Sequence, residues 1–380
     1  MSQLNYKPAI IASARRVVVK VGSAVLSDPD GLRADVIDNL ASQIDSIIGD
    51  GREVILVTSG AIAAGRARLR RRTSTMAERQ AAAATGQIEL MGLWAKAFGG
   101  RGKTIAQILL THQDLAERRR RNNAIHTIQS LLDAGVIPVV NENDTVAVEE
   151  IRMGDNDVLS SLVAGMVQAG LLIILSDVPG VLTGDPRKRS DARLIPLITN
   201  PEAEMRGLVT ESAGPLGSGG MATKLQAARQ AARAGISVII GPGRDSDTLV
   251  AALDPERSVG TLILPARTRL KSRKHWIAFA LRPAGALGVD RGAAEAMRDK
   301  GRSLLASGIR EVRGEFTSGD CVSLLDHEGV EFGRGLVNYP AADVLRVKGK
   351  RSEEIPRVLG YKVADEIIHR DNFVLLEDLA

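Results

Sequence analysis

The sequence predicts an α/β protein: a large, mostly parallel sheet covered by helices on both faces, followed by a smaller β-rich domain. Three observations carry that expectation. Apolar, β-branched runs alternate with helical stretches from "RVVVKVG" to "SVIIGPG". Those runs are apolar on both faces, the pattern of strands buried in a parallel sheet between helices. The alternation then stops at the basic stretch "LPARTRLKSRKHW", beyond which short strands and turns take over. A chain of 380 residues that is 44% hydrophobic can bury a substantial core and has the length of two or three domains.

Taken in order, the strands expected in the first domain are "RVVVKVG", "REVILVTSG", "KTIAQILLT", "GVIPVVNEN", "LLIILSD" and "SVIIGPG". Helices are expected over 35–48, 81–98, 119–132, 157–169 and 223–234. Ligands of such folds gather at the carboxyl ends of the strands. There the sequence collects small and polar residues: Gly22-Ser23, Thr58-Ser59-Gly60, the run 141–144 and Ser176-Asp177. The first domain is expected to span 1–266, with 267–275 as a linker and 276–380 as the second domain and tail. In the second domain "HWIAFAL", "GALGVD", "REVRGEF", "GDCVSLLD" and "EFGRGLVNY" read as strands, with helices over 291–300 and 341–347.

Composition narrows the function. Charged residues make up 25% and the net charge is +5, a mild excess that suits anionic ligands. Aromatics are only 3%, which argues against an extended base-stacking surface. With one cysteine, Cys321, no internal disulfide forms, and five scattered histidines complete no Cys/His zinc site. Cys321 reads as a core residue of its strand. The longest apolar run, near "AGLLIILS", is too short to span a bilayer, and the N-terminal residues lack a secretory apolar region. The expectation is a cytoplasmic protein without a membrane partner.

Several segments carry polar chemistry. Lys20 ends an apolar strand just before a Gly-Ser turn, where a lysine is costly to desolvate unless it meets an anion. Taken alone, it reads more readily as a lysine reaching out from a strand end than as an anion ligand. "VTSGAIAAGR" runs from a strand through Ser59-Gly60 into a helix; its N–H groups suit a carboxylate or phosphate, and by itself it equally fits an ordinary strand-to-helix connection. "VVNENDTV" places Asp144 just beyond a buried strand, and "RMGDNDVLSSLVAG" places Asp155, Asn156 and Asp157 at a helix start. Capping needs one such residue, so the surplus favours ligand recognition. Spacing alone assigns no metal to Asp155 and Asp157. "GSGGMATKLQAA" has the ingredients of a phosphate cradle, namely glycines, a hydroxyl, a cation and a helix start, and taken alone it reads equally as a glycine-rich linker. It is not a Walker A loop, because Lys224 is followed by Leu225 and not by Ser or Thr.

In order, "VVVKVGSAVL", "VTSGAIAAGR", "VVNENDTV", "GDNDVLSSLVA", "LLIILSDVPGVLTGDPR" and "GSGGMATKLQAA" resemble the amino acid kinase family. The C-terminal part resembles the PUA domain that many bacterial members carry, so the resemblance covers essentially the whole chain. Two departures keep their hydroxyl: Ser176 and Ser218 stand where Thr is common. The resemblance implies a three-layer αβα sandwich and transfer of the γ-phosphoryl group of ATP, with Mg²⁺ on its phosphates, to the γ-carboxylate of L-glutamate. That is the first step of proline biosynthesis. It implies that Lys20 and the run Ser218, Gly219, Gly220, Met221, Ala222, Thr223 and Lys224 contact the ATP phosphates. Ser176 and Asp177 would lie by the nucleotide. Ser59, Asp144 and Asn156 would hold glutamate with Asp155 close by, and Asp157 would position the two lysines. It further implies a homo-oligomer, feedback inhibition by proline through "TVAVEEIRMG", and a glutamyl-phosphate reductase as a partner.

The chemistry read from the residues agrees. A carboxylate acceptor is already ionised, so no Ser, Cys or His nucleophile is required; the protein must hold two anions in line and neutralise the transferring group. The nearest alternative is a kinase of the same family acting on another carboxylate, carbamate or a nucleotide. An RNA-binding role for the PUA-like part is the less favoured reading.

Overall fold

Parallel pairing builds the first unit outward from the strand Arg16–Val21. It pairs with Glu53–Val57 on one side and Leu171–Ser176 on the other. The computed structural model describes residues 2–71, 73–146, 155–186, 191–212, 220–266 and 272–376. It divides into two compact units, Met1–Arg269 and Leu270–Ala380.

The first unit holds an eight-stranded sheet. Its order is Ile105–Leu110, Ile137–Glu142, Glu53–Val57, Arg16–Val21, Leu171–Ser176, Ser237–Pro242, Thr261–Ile263 and Leu197–Ile198. Only the pairing of Thr261–Ile263 with Ser237–Pro242 is antiparallel. Successive side chains of a strand point to opposite faces. Val17, Val19 and Val21, with Leu171, Ile173 and Leu175, face a core shared with the helices Ala34–Gly49 and Met76–Gly99. Lys20 points the other way, towards the helices Asp155–Met166 and Met221–Arg233. This is the expected three-layer arrangement, and it is why every strand of the centre is apolar on both sides. Each fully buried Val, Leu or Ile there is worth about 1.5–3 kcal/mol relative to exposure.

The helix expected over 81–98 begins earlier, at Met76. Thr75 caps it: its hydroxyl accepts from the Glu78 N–H, and Glu78 accepts from the Thr75 N–H in return. The backbone N–H groups of Thr75 and Ser74 hold the Glu78 carboxyl down at about 2. The reciprocal pair is readable in "TMAE" as a capping box. The helix then crosses Ala61–Leu69 at very short range. A Cβ on Gly65 would stand 1.8 Å from the Ala82 carbonyl oxygen, and one on Gly86 would stand 1.9 Å from that of Ala61. Only glycine fits at either crossing point.

The second unit is built on a five-stranded sheet, in the order Ile309–Gly314, Gly285–Val289, Cys321–Leu325, Glu331–Leu336 and Phe373–Leu375. Its core joins Leu287, Val322, Phe332, Tyr339 and Phe373. The Tyr339 hydroxyl donates to the Ala364 carbonyl at 2.6 Å and accepts from the Val363 and Ala364 N–H groups. Cys321 is buried in its strand, and burial pushes its thiol up to about 12. The helices Arg291–Lys300 and Ala341–Val347 form over the expected residues. "HWIAFAL", expected as a strand, lies largely in the helix Ser272–Phe279. Trp276 and Ala280, four apart, are both buried, as is Ile277, and a helix brings them to one side where alternation would divide them. Residues 267–271 of the expected linker lie outside the described residues, and Ser272 opens this helix.

Candidate active site

At the carboxyl end of the central strand, burial and charge meet on one carboxylate. Lys20 is the fifth residue of its strand, paired in register with Val57 and Ile174. Its side chain is 5% exposed, and its Nζ stands 2.6 Å from Asp157 Oδ1. Asp157 lies in the first turn of the helix Asp155–Met166, 2% exposed. The other carboxylate oxygen accepts from Thr223 Oγ1 at 2.8 Å and lies 3.4 Å from Lys224 Nζ. Thr223 and Lys224 belong to the first turn of the helix Met221–Arg233, capped by Gly220. Two elements therefore deliver two ammonium groups and a hydroxyl to a carboxylate on a third.

Electrostatics explain why this cluster is stable. Burial pushes the Lys20 ammonium below the ordinary lysine value of 10.5, and Asp157 opposes that shift. Burial would raise the Asp157 carboxyl, but Lys20, Lys224 and the hydrogen bond from Thr223 together hold it below its ordinary value. The cluster carries two positive charges against one negative, so a net positive charge remains for an anion. Gly22 lies directly over the Lys20 ammonium, since a Cβ there would stand 3.3 Å from Nζ.

A second polar group sits beside the first. Asn156 Nδ2 donates to the Thr58 carbonyl at 3.0 Å, to Ser59 Oγ at 2.8 Å and to Asn141 Oδ1 at 3.0 Å. Gly60 adopts φ 110° and caps the helix Ala61–Leu69, so the backbone turns immediately after Ser59. Thr58 is itself held by its N–H on the Val140 carbonyl and by the Trp94 indole on its hydroxyl.

The structure brings together Lys20, Asp157, Thr223 and Lys224 in one group, and Ser59 and Asn156 in the other. Ser176 ends the strand beside Lys20, and its hydroxyl donates to Asp177 at 3.1 Å. Asp177 adds to the charge felt by Lys20. Met221 and Ala222 lie in the first turn with Thr223. Asp144 lies half-buried beyond the end of the strand Ile137–Glu142, and Asp155 opens the helix that carries Asn156 and Asp157. Ser218 and Gly219, and most of "TVAVEEIRMG", lie outside the described residues. Sequence reasoning did not single out Gln87 or Trp94, and named Thr58 only as part of a small polar run at a strand end. Asn141 was visible only as part of a polar run. Gln87 gave no signal, because a glutamine on a helix face reads as solvated surface.

Comparison with known proteins agrees with this geometry. A model of the amino acid kinase family matches residues 15–242, and a model of the PUA domain matches 285–359. The chain is 46% identical to a glutamate 5-kinase of Geobacter sp. (strain M21) over 370 residues, covering 97% of this chain and 99% of that protein. It is 48% identical over 368 residues to a glutamate 5-kinase of Thermus thermophilus, covering 96% and 98%. With one of Pelobacter propionicus it shares 47% over 365 residues, covering 95% and 98%. With a family model matched over residues 15–242 and relatives 46–48% identical over almost the whole chain, the chain belongs to the amino acid kinase family.

Proposed function

We propose that this protein transfers the γ-phosphoryl group of ATP to the γ-carboxylate of L-glutamate, giving L-glutamyl 5-phosphate and ADP. The relatives that match it end to end are glutamate 5-kinases, and the protein is an ATP-dependent phosphotransferase. The observation that carries the reading is the convergence of Lys20 and Lys224 on Asp157.

A γ-carboxylate oxygen attacks the γ-phosphorus, forming one O–P bond as the bond to the β–γ bridging oxygen breaks. The electron pair of that bond leaves with ADP. No proton moves, so the site needs no general base. Its task is to align two anions and spread the charge of the phosphoryl group in flight. Lys20 and Lys224 supply that charge, and Asp157 holds both ammonium groups in place. The N–H groups at the start of the helix Met221–Arg233 face the same anion. Among the described residues no group of three or more His, Cys, Asp or Glu side chains could hold a metal ion. Mg²⁺ bound with the nucleotide would neutralise part of the charge on its phosphates.

Ser59, Asp144 and Asn156 hold glutamate on the other side, and Ser176 and Asp177 flank the nucleotide. Proline competes with glutamate through the segment that follows Asp144. Among the described residues no helix is long and apolar enough to cross a membrane, and the reaction draws on cytoplasmic metabolites. The test is glutamate-dependent ADP release, with acetylglutamate, carbamate and UMP as competing acceptors, in the wild type and in Asn156→Ala. Glutamate should be preferred, and Asn156→Ala should raise the glutamate KM far more than the ATP KM. Losing hydrogen bonds to a charged ligand costs about 1.5–3 kcal/mol each. Equal rises in the two KM values would remove Asn156 from the glutamate site.

A further inference from the structure

We infer that Gln87 is a positioning residue for the glutamate substrate, acting through Asn141 to fix the amide orientation of Asn156. Three carboxamides form a chain beneath the turn at Ser59 and Gly60. Asn156 Nδ2 donates to the Thr58 carbonyl. A carbonyl can only accept, so this contact decides which end of the Asn156 amide faces the strand. The same nitrogen meets Asn141 at 3.0 Å, so Asn141 must present its oxygen there. Its own NH₂ group then faces the other way, where Nδ2 donates to Gln87 Oε1 at 2.7 Å. The sense of all three amides is set at one end by a backbone carbonyl and closed at the other by Gln87.

Among the described residues, two buried atoms of these amides have no hydrogen-bond partner, Asn156 Oδ1 and Gln87 Nε2. A buried acceptor without a donor is destabilising, and an ammonium group is the donor that relieves it best. Asn156 therefore offers its oxygen to the α-ammonium of glutamate, provided that its amide keeps this sense. Without the Gln87 oxygen, the Asn141 NH₂ group would be a buried donor with no acceptor. Turning the Asn141 amide over would relieve that strain but would set its NH₂ group against that of Asn156. Gln87 is well placed to prevent the turn. Its neighbour Gly86 lies hard against the Ala61 carbonyl, so the helix that carries Gln87 has no room to slide.

This inference rests on the reading of Asn156 as a glutamate ligand, and the experiment separates the two. Steady-state kinetics and thermal melts are measured for Gln87→Met, Asn156→Ala and the double variant. Gln87→Met should raise the glutamate KM roughly 10-fold and leave the ATP KM and kcat within about twofold. In the Asn156→Ala background the same change should have no further effect on the glutamate KM. If Gln87→Met does not fold, Gln87→Ala supplies the same readout with a short, helix-favouring side chain. An unchanged glutamate KM, an equal rise in both KM values, or losses that multiply in the double variant would overturn the role of Gln87. An Asn156→Ala enzyme with a normal glutamate KM would overturn the reading of the site itself.

Discussion

Replacing Asp157 with Asn keeps the shape of the side chain and an acceptor for Thr223, and removes the one charge that both lysines share. At an effective dielectric constant of about 20, its contacts at 2.6 and 3.4 Å correspond to gross attractions of about 6 and about 5 kcal/mol. Most of that offsets the desolvation of three buried charges. Breaking such a buried arrangement from one side destabilises by about 3–5 kcal/mol, because uncompensated charge is left behind. For a unit of this size the melting temperature should fall by about 10 °C. Catalysis should suffer separately, because two ammonium groups that repel each other no longer meet the phosphoryl group at fixed positions. By analogy with losing one preorganised charge-stabilising donor, kcat should fall roughly 10²–10³-fold. The assay is ADP release at saturating ATP and glutamate, with circular dichroism to establish folding. Lys20→Met combined with Asp157→Asn should lose less than the product of the single losses, since the double variant leaves one fewer charge unpaired. A folded Asp157→Asn enzyme with kcat within threefold of the wild type would refute the assignment of this carboxylate.

Four further outcomes are expected. Gly86→Ala would place a Cβ 1.9 Å from the Ala61 carbonyl oxygen, so the two helices must separate by more than about 1 Å to restore an ordinary contact. Displacing the turn at Ser59 by that amount should cost up to about 100-fold in kcat/KM for glutamate and about 1–3 kcal/mol in stability. Gly92→Ala on the same helix meets nothing within 4 Å and should be neutral or slightly stabilising by thermal melt. Burial holds the Lys20 ammonium below 10.5, so kcat should fall as pH rises through a value lower than that of an exposed lysine. The fall should begin at still lower pH in Asp157→Asn, which lacks the opposing charge; identical alkaline limbs would count against it. A chain ending at Pro265 should fold and keep kinase activity, as gel filtration and ADP release would establish; a folded but inactive product would place the second unit in the catalytic machinery.

How much was legible depends on the range of the interaction. The strand order rests on runs such as "LLIILS", whose six residues are all buried, and that signal is local. Lys20 was legible because it stands where a charge is expensive without an anion, and Lys224 because it ends a glycine-rich run that opens a helix. The glycine crossing was not, because Gly65 and Gly86 lie 21 residues apart and nothing in either neighbourhood announces that two backbones touch. The same holds for Gln87, whose role depends on a partner 54 positions away. "HWIAFAL" misled for a different reason. A short apolar run fits a buried strand and a buried helix equally well, and the surrounding core decides between them. The start of the helix at Met76 was written in the sequence as Thr75 and Glu78, and a closer reading of caps finds it.

The site gains its economy from two consecutive residues. Asn156 and Asp157 stand next to each other in the first turn of one helix, yet they serve different groups. Successive helical residues point about 100° apart. Asn156 is thereby turned towards Thr58, Ser59 and Asn141, and Asp157 towards Lys20, Thr223 and Lys224. The first group suits an amino acid and the second a phosphate chain. A carboxylate held by one and a phosphoryl group held by the other must approach each other across this single turn. Under the proposed assignment, one backbone segment would set the alignment of donor and acceptor. Ser160 strengthens that turn, since its hydroxyl donates to the Asp157 carbonyl at 2.6 Å. A substitution that loosens the turn without touching either substrate, such as Ser160→Ala, should therefore lower kcat while leaving both KM values near normal. A rise confined to one KM would show that the two sites are positioned independently.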